Sequence, residues 1–159
     1  LLDATLREAV PEGADAETSI RALVPALIAA ARQHGNYNVL YNEITSGSCR
    51  EFAPELAREI ESRTAQLYTR LFETVKEAGA LAPGLAPEAA AFFFDNLLMM
   101  LQFSYSCDYY QHRMRLYCGE NAAWNDEMMA DQLTRFLLGA MRGEGSCNIS
   151  LPTTSEPPA

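Results

Sequence analysis

Apolar residues recur at three- and four-residue intervals along most of the chain, and no convincing segment alternates apolar and polar residues. A period near 3.6 residues is typical of helices that bury one face, whereas half-buried strands need a period of two. The first stripe follows Asp15, a favoured N-cap residue, and consists of Ile20, Leu23, Val24, Leu27, Ile28 and Ala31. The pattern predicts an all-α fold, a helical bundle of about five helices.

Glycine, proline and short polar runs mark where the predicted helices begin and end. The first helix follows Asp15 and ends at Gly35, and the others cover about residues 36–43, 50–78, 87–116 and 125–142. The long third helix is predicted to bury one face, made of Phe52, Leu56, Ile60, Leu67, Leu71, Val75 and Ala78. The segment 143–159 contains three prolines and several small polar residues, and we expect it to be a disordered tail.

The predicted helix over 87–116 is unusually apolar. At 100° per residue, apolar side chains cover about two thirds of its circumference, and only Asp95, Gln102 and Ser106 form a polar line. One packing surface needs about a third of a helix circumference. The pattern therefore predicts that this helix packs against two partners, its own core and a second subunit.

Charge and length exclude several classes of protein. The chain has 159 residues, with 21 acidic and 12 basic side chains, a formal charge of −9, and Lys76 as its only lysine. A surface that binds duplex DNA normally needs clustered Arg and Lys, so the chain as given is a poor nucleic-acid binder. The longest uncharged apolar stretch, 96–107, is too short for the ~20 residues that span a bilayer, so we expect no membrane partner.

Four cysteines, Cys49, Cys107, Cys118 and Cys147, show neither the density nor the spacing of a disulfide scaffold or a zinc site. We interpret them as reduced thiols in a cytoplasmic protein. Asp108 and His112 lie one turn apart but lack further ligands at metal-binding spacing. Neither phosphate loops nor nucleophile motifs are present, so we expect no metal, no cofactor and no enzyme activity.

Six short segments, taken together and in order, resemble the C-terminal domain of TetR-family transcriptional regulators. They are 19–24 (SIRALV), 34–43 (HGNYNVLYNE), 53–56 (APEL), 76–81 (KEAGAL), 87–91 (PEAAA) and 136–139 (FLLG). The resemblance covers about residues 15–142. Gly35, where the family often has proline, and Pro25 inside a helix depart from the family pattern, so the resemblance does not imply which ligand is bound.

The resemblance implies a domain organisation and a function. Residues 1–14 would end a linker helix, and 15–142 would form an effector-binding and homodimerisation domain of a bacterial regulator, in the usual case a repressor. Its last two helices would build a four-helix bundle across a two-fold axis. A small hydrophobic effector would control DNA binding by a helix-turn-helix head, which is missing from this sequence. We therefore expect DNA to be a partner only through that head.

Two sets of residues are candidates for these roles. Aromatic, Met and amide side chains that suit a lipophilic or aromatic effector are Tyr41, Tyr68, Phe72, Phe93, Asn96, Met99, Met100 and Phe103. Residues on the last two helices that are predicted to form the dimer interface are Leu97, Leu101, Tyr105, Met129, Leu133, Phe136 and Leu137. For any single member of the ligand-binding set, an ordinary core position at helical spacing is the favoured reading, and only the set as a whole indicates an effector site.

Other interpretations remain open at this stage. His112, Arg113 and Arg115 form the densest basic patch, which would suit an acidic group on an effector or, more simply, cations near a helix C-terminus. The alternative to a regulator is a free-standing helical carrier of hydrophobic small molecules. A small helical enzyme is a third, less favoured reading.

Overall fold

The computed structural model describes residues 5, 8–11, 13–48, 50–122 and 125–142, and within them the chain forms six α-helices and no strand. The helices are α1 (Ala16–Gln33), α2 (Gly35–Glu43), α3 (Ala53–Glu77), α4 (Pro87–Ser106), α5 (Asp108–Cys118) and α6 (Asp126–Arg142). A π-helical segment, Ile44–Ser48, and a 3₁₀ turn, Arg50–Phe52, connect α2 to α3. The predicted all-α class is confirmed. The tail predicted over 143–159 and half of the residues of the predicted linker helix lie outside the described residues.

Helix α1 forms as its sequence pattern predicts. The backbone N–H of Thr18 donates a 2.7 Å hydrogen bond to Asp15 Oδ1, which caps the helix N-terminus. All six predicted stripe residues are buried and belong to the main hydrophobic core. This confirms the predicted stripe. Pro25 lies within the helix on its exposed side.

Helix α3 buries a face that coincides with the predicted one only at Val75. Its buried residues are Tyr68, Phe72 and Val75, all in the C-terminal half. Phe52, Ile60 and Leu67 of the predicted face are exposed. The sequence pattern treated the helix as one continuous packing surface. In the structure its C-terminal half contributes the buried core residues, and its N-terminal half lies beside a cavity.

The predicted helix over 87–116 is two helices. Cys107 has extended backbone angles, φ −115° and ψ 128°, which end α4 at Ser106 and start α5 at Asp108. The side chain of Gln111 donates to the carbonyl oxygen of Tyr105, one of the groups that the break frees. This break accounts for six helices instead of about five.

Helix α4 is the centre of the fold, in contact with α1, α2, α3 and α5. Ala90, Ala91, Phe94, Leu98 and Leu101 on it pack into the core with α1 and the buried end of α3. Most of its wide apolar surface is therefore covered within the single chain.

Two ion pairs hold α1 against α6 at opposite ends. Arg32 donates to both Asp126 carboxylate oxygens, at 2.6 and 2.5 Å, and its guanidinium lies 4.8 Å from the centre of the Tyr105 ring. Arg142 pairs with Glu17 near the start of α1. The end of each helix is thus joined to the start of the other, so the two helices run antiparallel.

Among the described helices, none is both long and apolar enough to cross a bilayer.

Candidate small-molecule site between three helices

A two-chambered cavity lies between α2, α3 and α4. The outer chamber, about 360 Å³, is lined by residues that include Tyr37, Asn38, Ile60, Arg63 and Phe103. The second chamber, called the inner chamber although it is as open to solvent as the outer one, is about 350 Å³ and is lined by residues that include Ala65, Tyr68, exposed Glu88, Ala91, exposed Phe92 and Asn96. Tyr41, Glu61, Asp95 and Met99 line both chambers and form the boundary between them. Each chamber has the size of a small-molecule site, for which ~300–1,000 Å³ is usual.

The sequence creates this space by placing small side chains where α3 and α4 approach each other. Ala65 on α3 and Ala91 on α4 both line the inner chamber. The polar line of α4 faces the same region, because Asp95 and Gln102 line the outer chamber. The third member of the line, Ser106, bonds to α1 and α2. The polar line seen in the sequence therefore faces the cavity and the neighbouring helices α1 and α2.

Tyr41 and Glu61 are joined across the boundary of the chambers. The Tyr41 hydroxyl donates a hydrogen bond to Glu61 Oε1, and the Tyr41 ring lies 5.9 Å from that of Phe103. Burial, and then this hydrogen bond to a carboxylate, raise the pKa of Tyr41 well above its usual value. Tyr41 therefore remains a neutral donor that orients the Glu61 carboxylate.

Asp95 is a half-buried carboxylate on the wall of both chambers. Burial raises its pKa from 3.8 to about 6, and the negative charge of nearby Glu61 adds to the effect. At neutral pH the group is mostly ionised, although the site penalises its charge. A positive charge beside it would lower that penalty.

Tyr68 lines the inner chamber and carries an unpaired polar group. The residue is 1% exposed, and its hydroxyl oxygen is buried without a hydrogen-bond partner. Its ring packs edge-to-face on Phe94, with centroids 4.9 Å apart. Burial, and next the charge of Asp95, raise the pKa of Tyr68, so the hydroxyl stays protonated. A buried hydroxyl without a partner costs free energy that a ligand group is able to recover.

The cavity contains five of the eight predicted ligand-binding residues. Tyr41, Met99 and Phe103 line the outer chamber, and Tyr41, Tyr68, Asn96 and Met99 line the inner one. The other three, Phe72, Phe93 and Met100, line neither chamber. Phe72 is 1% exposed and packs on Phe94 in the core, whereas Phe93 is exposed. The sequence did not predict Glu61 and Asp95, the two carboxylates at the chamber boundary, as ligand-binding residues.

The predicted dimer-interface residues occupy two different environments. Leu101, Tyr105 and Leu137 are buried in the core of the single chain, and Met129 and Leu133 pack partly against that core. Leu97 and Phe136 remain exposed, at 37% and 62%. Among the predicted interface residues, Leu97 and Phe136 are therefore the ones whose apolar surface is free for a second subunit. Phe93, which is also exposed, lies one helical turn from Leu97 on α4.

The basic patch lies on α5, away from both chambers. The Arg113 guanidinium lies 5.2 Å from the centre of the Tyr117 ring, and Arg115 lies in the last turn of the helix, where the helix dipole favours a cation. Across the described ranges, no group of three His, Cys, Asp or Glu residues is placed to hold a metal ion.

Cys107 and Cys118 are free thiols. Burial, followed by the charges of Asp108 and Glu43, raises the pKa of Cys107. A redox-sensing cysteine needs a stabilised thiolate, so the environment of Cys107 argues against that role.

A third depression, about 410 Å³ and more open to solvent, lies between α1 and α6. It is lined by residues that include Arg21, Pro25, Asp126, Glu127 and Asp131. It contains none of the predicted ligand-binding residues, and its two central acids already pair with arginines: Asp126 with Arg32, and Asp131 with Arg135. The cavity between α2, α3 and α4 is therefore the better candidate.

Comparisons with models of protein families, with curated proteins and with solved structures found no match for this chain.

Proposed function

We propose that the chain is the effector-sensing and homodimerisation domain of a bacterial TetR-like transcriptional regulator, a repressor in the usual case. The observation that carries the proposal is the cavity between α2, α3 and α4, whose walls include Tyr41, Tyr68, Met99 and Phe103. Aromatic and Met side chains provide an adaptable apolar wall, and a few polar groups orient a ligand. This composition supports a small hydrophobic or aromatic effector.

Exposed apolar side chains on α4 and α6 support the homodimer. Phe93 and Leu97 on α4, and Phe136 on α6, keep between 37% and 62% of their surface exposed in the single chain. A second copy that covers these strips through a two-fold axis would form the four-helix bundle that the resemblance implies.

Helix α4 couples the cavity to the proposed dimer surface, because it contributes residues to both. Asp95, Asn96 and Met99 contribute to the cavity wall, and Leu97 lies among them on the exposed side of the same helix. A ligand that prefers one position of α4 would shift the arrangement of the two subunits and of any attached heads. The required differential affinity is typically worth about 1–3 kcal/mol.

DNA enters the proposal only through a helix-turn-helix head that the given sequence does not contain. The test is to read the coding sequence upstream of Leu1. We expect about 50 in-frame residues of basic, helical sequence, and the joined protein should bind DNA with an affinity that falls as salt rises. A start codon directly before Leu1 would contradict the regulator and favour the free-standing carrier.

A further inference from the structure

The inner chamber has an acidic lining. Glu61, Glu88 and Asp95 contribute to its walls, and none of its described lining residues is Lys, Arg or His. Arg63, a basic residue, lines the outer chamber and not the inner one. The outer chamber is therefore mixed in charge, and the inner chamber is purely acidic.

Aromatic rings surround the same acidic chamber. Tyr41, Tyr68 and Phe92 line it together with the thioether of Met99. The negative face of an aromatic ring attracts a cation. Carboxylates combined with rings favour a cation that also has an apolar body, because each group contacts one part of the ligand.

The unpaired hydroxyl of Tyr68 is an independent sign of a ligand. Its oxygen is buried and has no partner, and Tyr68 and Asp95 both line this chamber. A neutral phenol accepts hydrogen bonds as well as donating them. A ligand with N–H donors bound beside Asp95 would donate hydrogen bonds both to the Tyr68 hydroxyl oxygen and to the Asp95 carboxylate.

We propose that the inner chamber binds the head of an organic cation, a protonated amine on an aromatic or hydrophobic body, with the amine between Asp95, Glu61 and Tyr68. The body extends past Tyr41 and Met99 into the outer chamber toward Phe103. This inference rests on the proposed function, because it names the chemical class of the effector.

The test compares three probes that share one aromatic body and differ in charge: 2-naphthylmethylammonium, neutral 2-naphthylmethanol and anionic 2-naphthylacetate. Isothermal titration calorimetry on the intact chain at about pH 7.5 should give the ammonium at least about a tenfold lower Kd than either of the others. Equal or tighter binding of the neutral or anionic probe would overturn the cation assignment while leaving a sensor of another effector class. Failure of all three probes to bind would overturn the assignment and also the effector-sensing part of the proposed function.

Variants locate the charge recognition. Asp95→Asn should weaken binding of the ammonium probe by about tenfold and leave the affinity for 2-naphthylmethanol within about twofold. Tyr68→Phe should weaken it by several fold through loss of the acceptor oxygen. The matched control is Glu73→Gln, an exposed carboxylate on α3 outside the cavity, which should leave all three affinities unchanged. If Glu73→Gln weakened binding of the ammonium probe as much as Asp95→Asn does, the effect would come from the overall charge of the chain and not from contact in the chamber. That result would overturn the assignment.

The pH dependence supplies a second readout that needs no variant. The groups facing Asp95 are Tyr41 from α2, Glu61 and Tyr68 from α3, and Glu88 from its own helix, with Arg63 at the outer chamber. The two phenols stay neutral below pH 8, so protonation of Asp95 governs the change. Affinity for the ammonium should fall several fold between about pH 7.5 and pH 5, while affinity for 2-naphthylmethanol stays constant. A pH-independent ammonium affinity would contradict the assignment.

Discussion

Asp95 is the residue on which the account of the site most depends. It lies on a helix whose other faces are almost wholly apolar, and burial together with Glu61 raises its pKa to about 6. The polar line on α4 was visible in the sequence, but its partner was not, because Glu61 lies 34 positions earlier and only the packing of α3 against α4 brings the two together. A sequence pattern shows which residues share one helix face, not which residue from another helix faces them.

The raised pKa of Asp95 predicts a stability change. The folded chain binds a proton at Asp95 up to about pH 6, whereas the unfolded chain releases it near 3.8. Stability is therefore lost as pH rises through this window, and the loss persists above it. Asp95→Asn should raise the free energy of unfolding by about 1 kcal/mol at pH 7.5, after allowance for solvent screening, and by nothing near pH 3.5. Urea denaturation at both pH values measures this, with Glu73→Gln as the unchanged control. A loss of stability at pH 7.5 would contradict the account.

Individual helices differ in how well the sequence predicts their buried face. Helix α1 has one narrow stripe and packs as its period requires. Helix α3 has apolar residues spread along its length, but only its C-terminal half buries them, so the predicted face was wrong except at Val75. The break at Cys107 lacks a proline or glycine, and Ser106 and Asp108 on either side are the only local signs of a new helix start. Burial depends on which neighbours are present, and a single helix does not encode its neighbours.

Ser106 joins three helices at the end of α4. Its hydroxyl donates to the Ala31 carbonyl oxygen of α1 at 3.2 Å and accepts from buried Asn38 Nδ2 of α2 at 2.9 Å. Ser106→Ala should lower the free energy of unfolding by about 1–3 kcal/mol, because the amide of Asn38 loses its partner. The matched control is Ser104→Ala, which removes only a bond to the Met100 carbonyl oxygen within the same helix. Thermal unfolding that is equal for the two variants would refute this role of Ser106.

At the scale of the whole molecule, the all-α class followed from helical period alone, but the partner surfaces did not. The wide apolar surface of α4 predicted two partners, and four helices of the same chain cover most of it. The apolar surface of α4 that stays exposed for a second subunit is therefore narrower than the sequence pattern predicted. Leu101, Tyr105 and Leu137 are core residues of the single chain, so Leu101→Glu would bury a carboxylate and would not report on association.

The proposed dimer predicts a mass of about 35 kDa, twice the 17.6 kDa of the chain, by light scattering. Phe136→Glu and Leu97→Glu should each yield monomers, because they place a charge on the exposed strips of α6 and α4. Leu116→Glu changes a more exposed apolar residue on α5 and should leave the dimer intact. A 35 kDa species that survives both interface substitutions, or a wild-type monomer, would contradict the dimer.

The central claim, that the cavity between α2, α3 and α4 binds a small molecule, is tested most directly by methionine-methyl NMR. The chain has six methionines, of which Met99 lines both chambers, whereas Met100, Met114 and Met141 line neither. With ¹³C-labelled methionine, assigned through Met99→Leu, the tightest-binding naphthyl probe should shift the Met99 methyl resonance through its aromatic ring and leave those of Met114 and Met141 in place. An unchanged Met99 resonance at saturating probe would contradict the claim, as would shifts confined to Met128 and Met129.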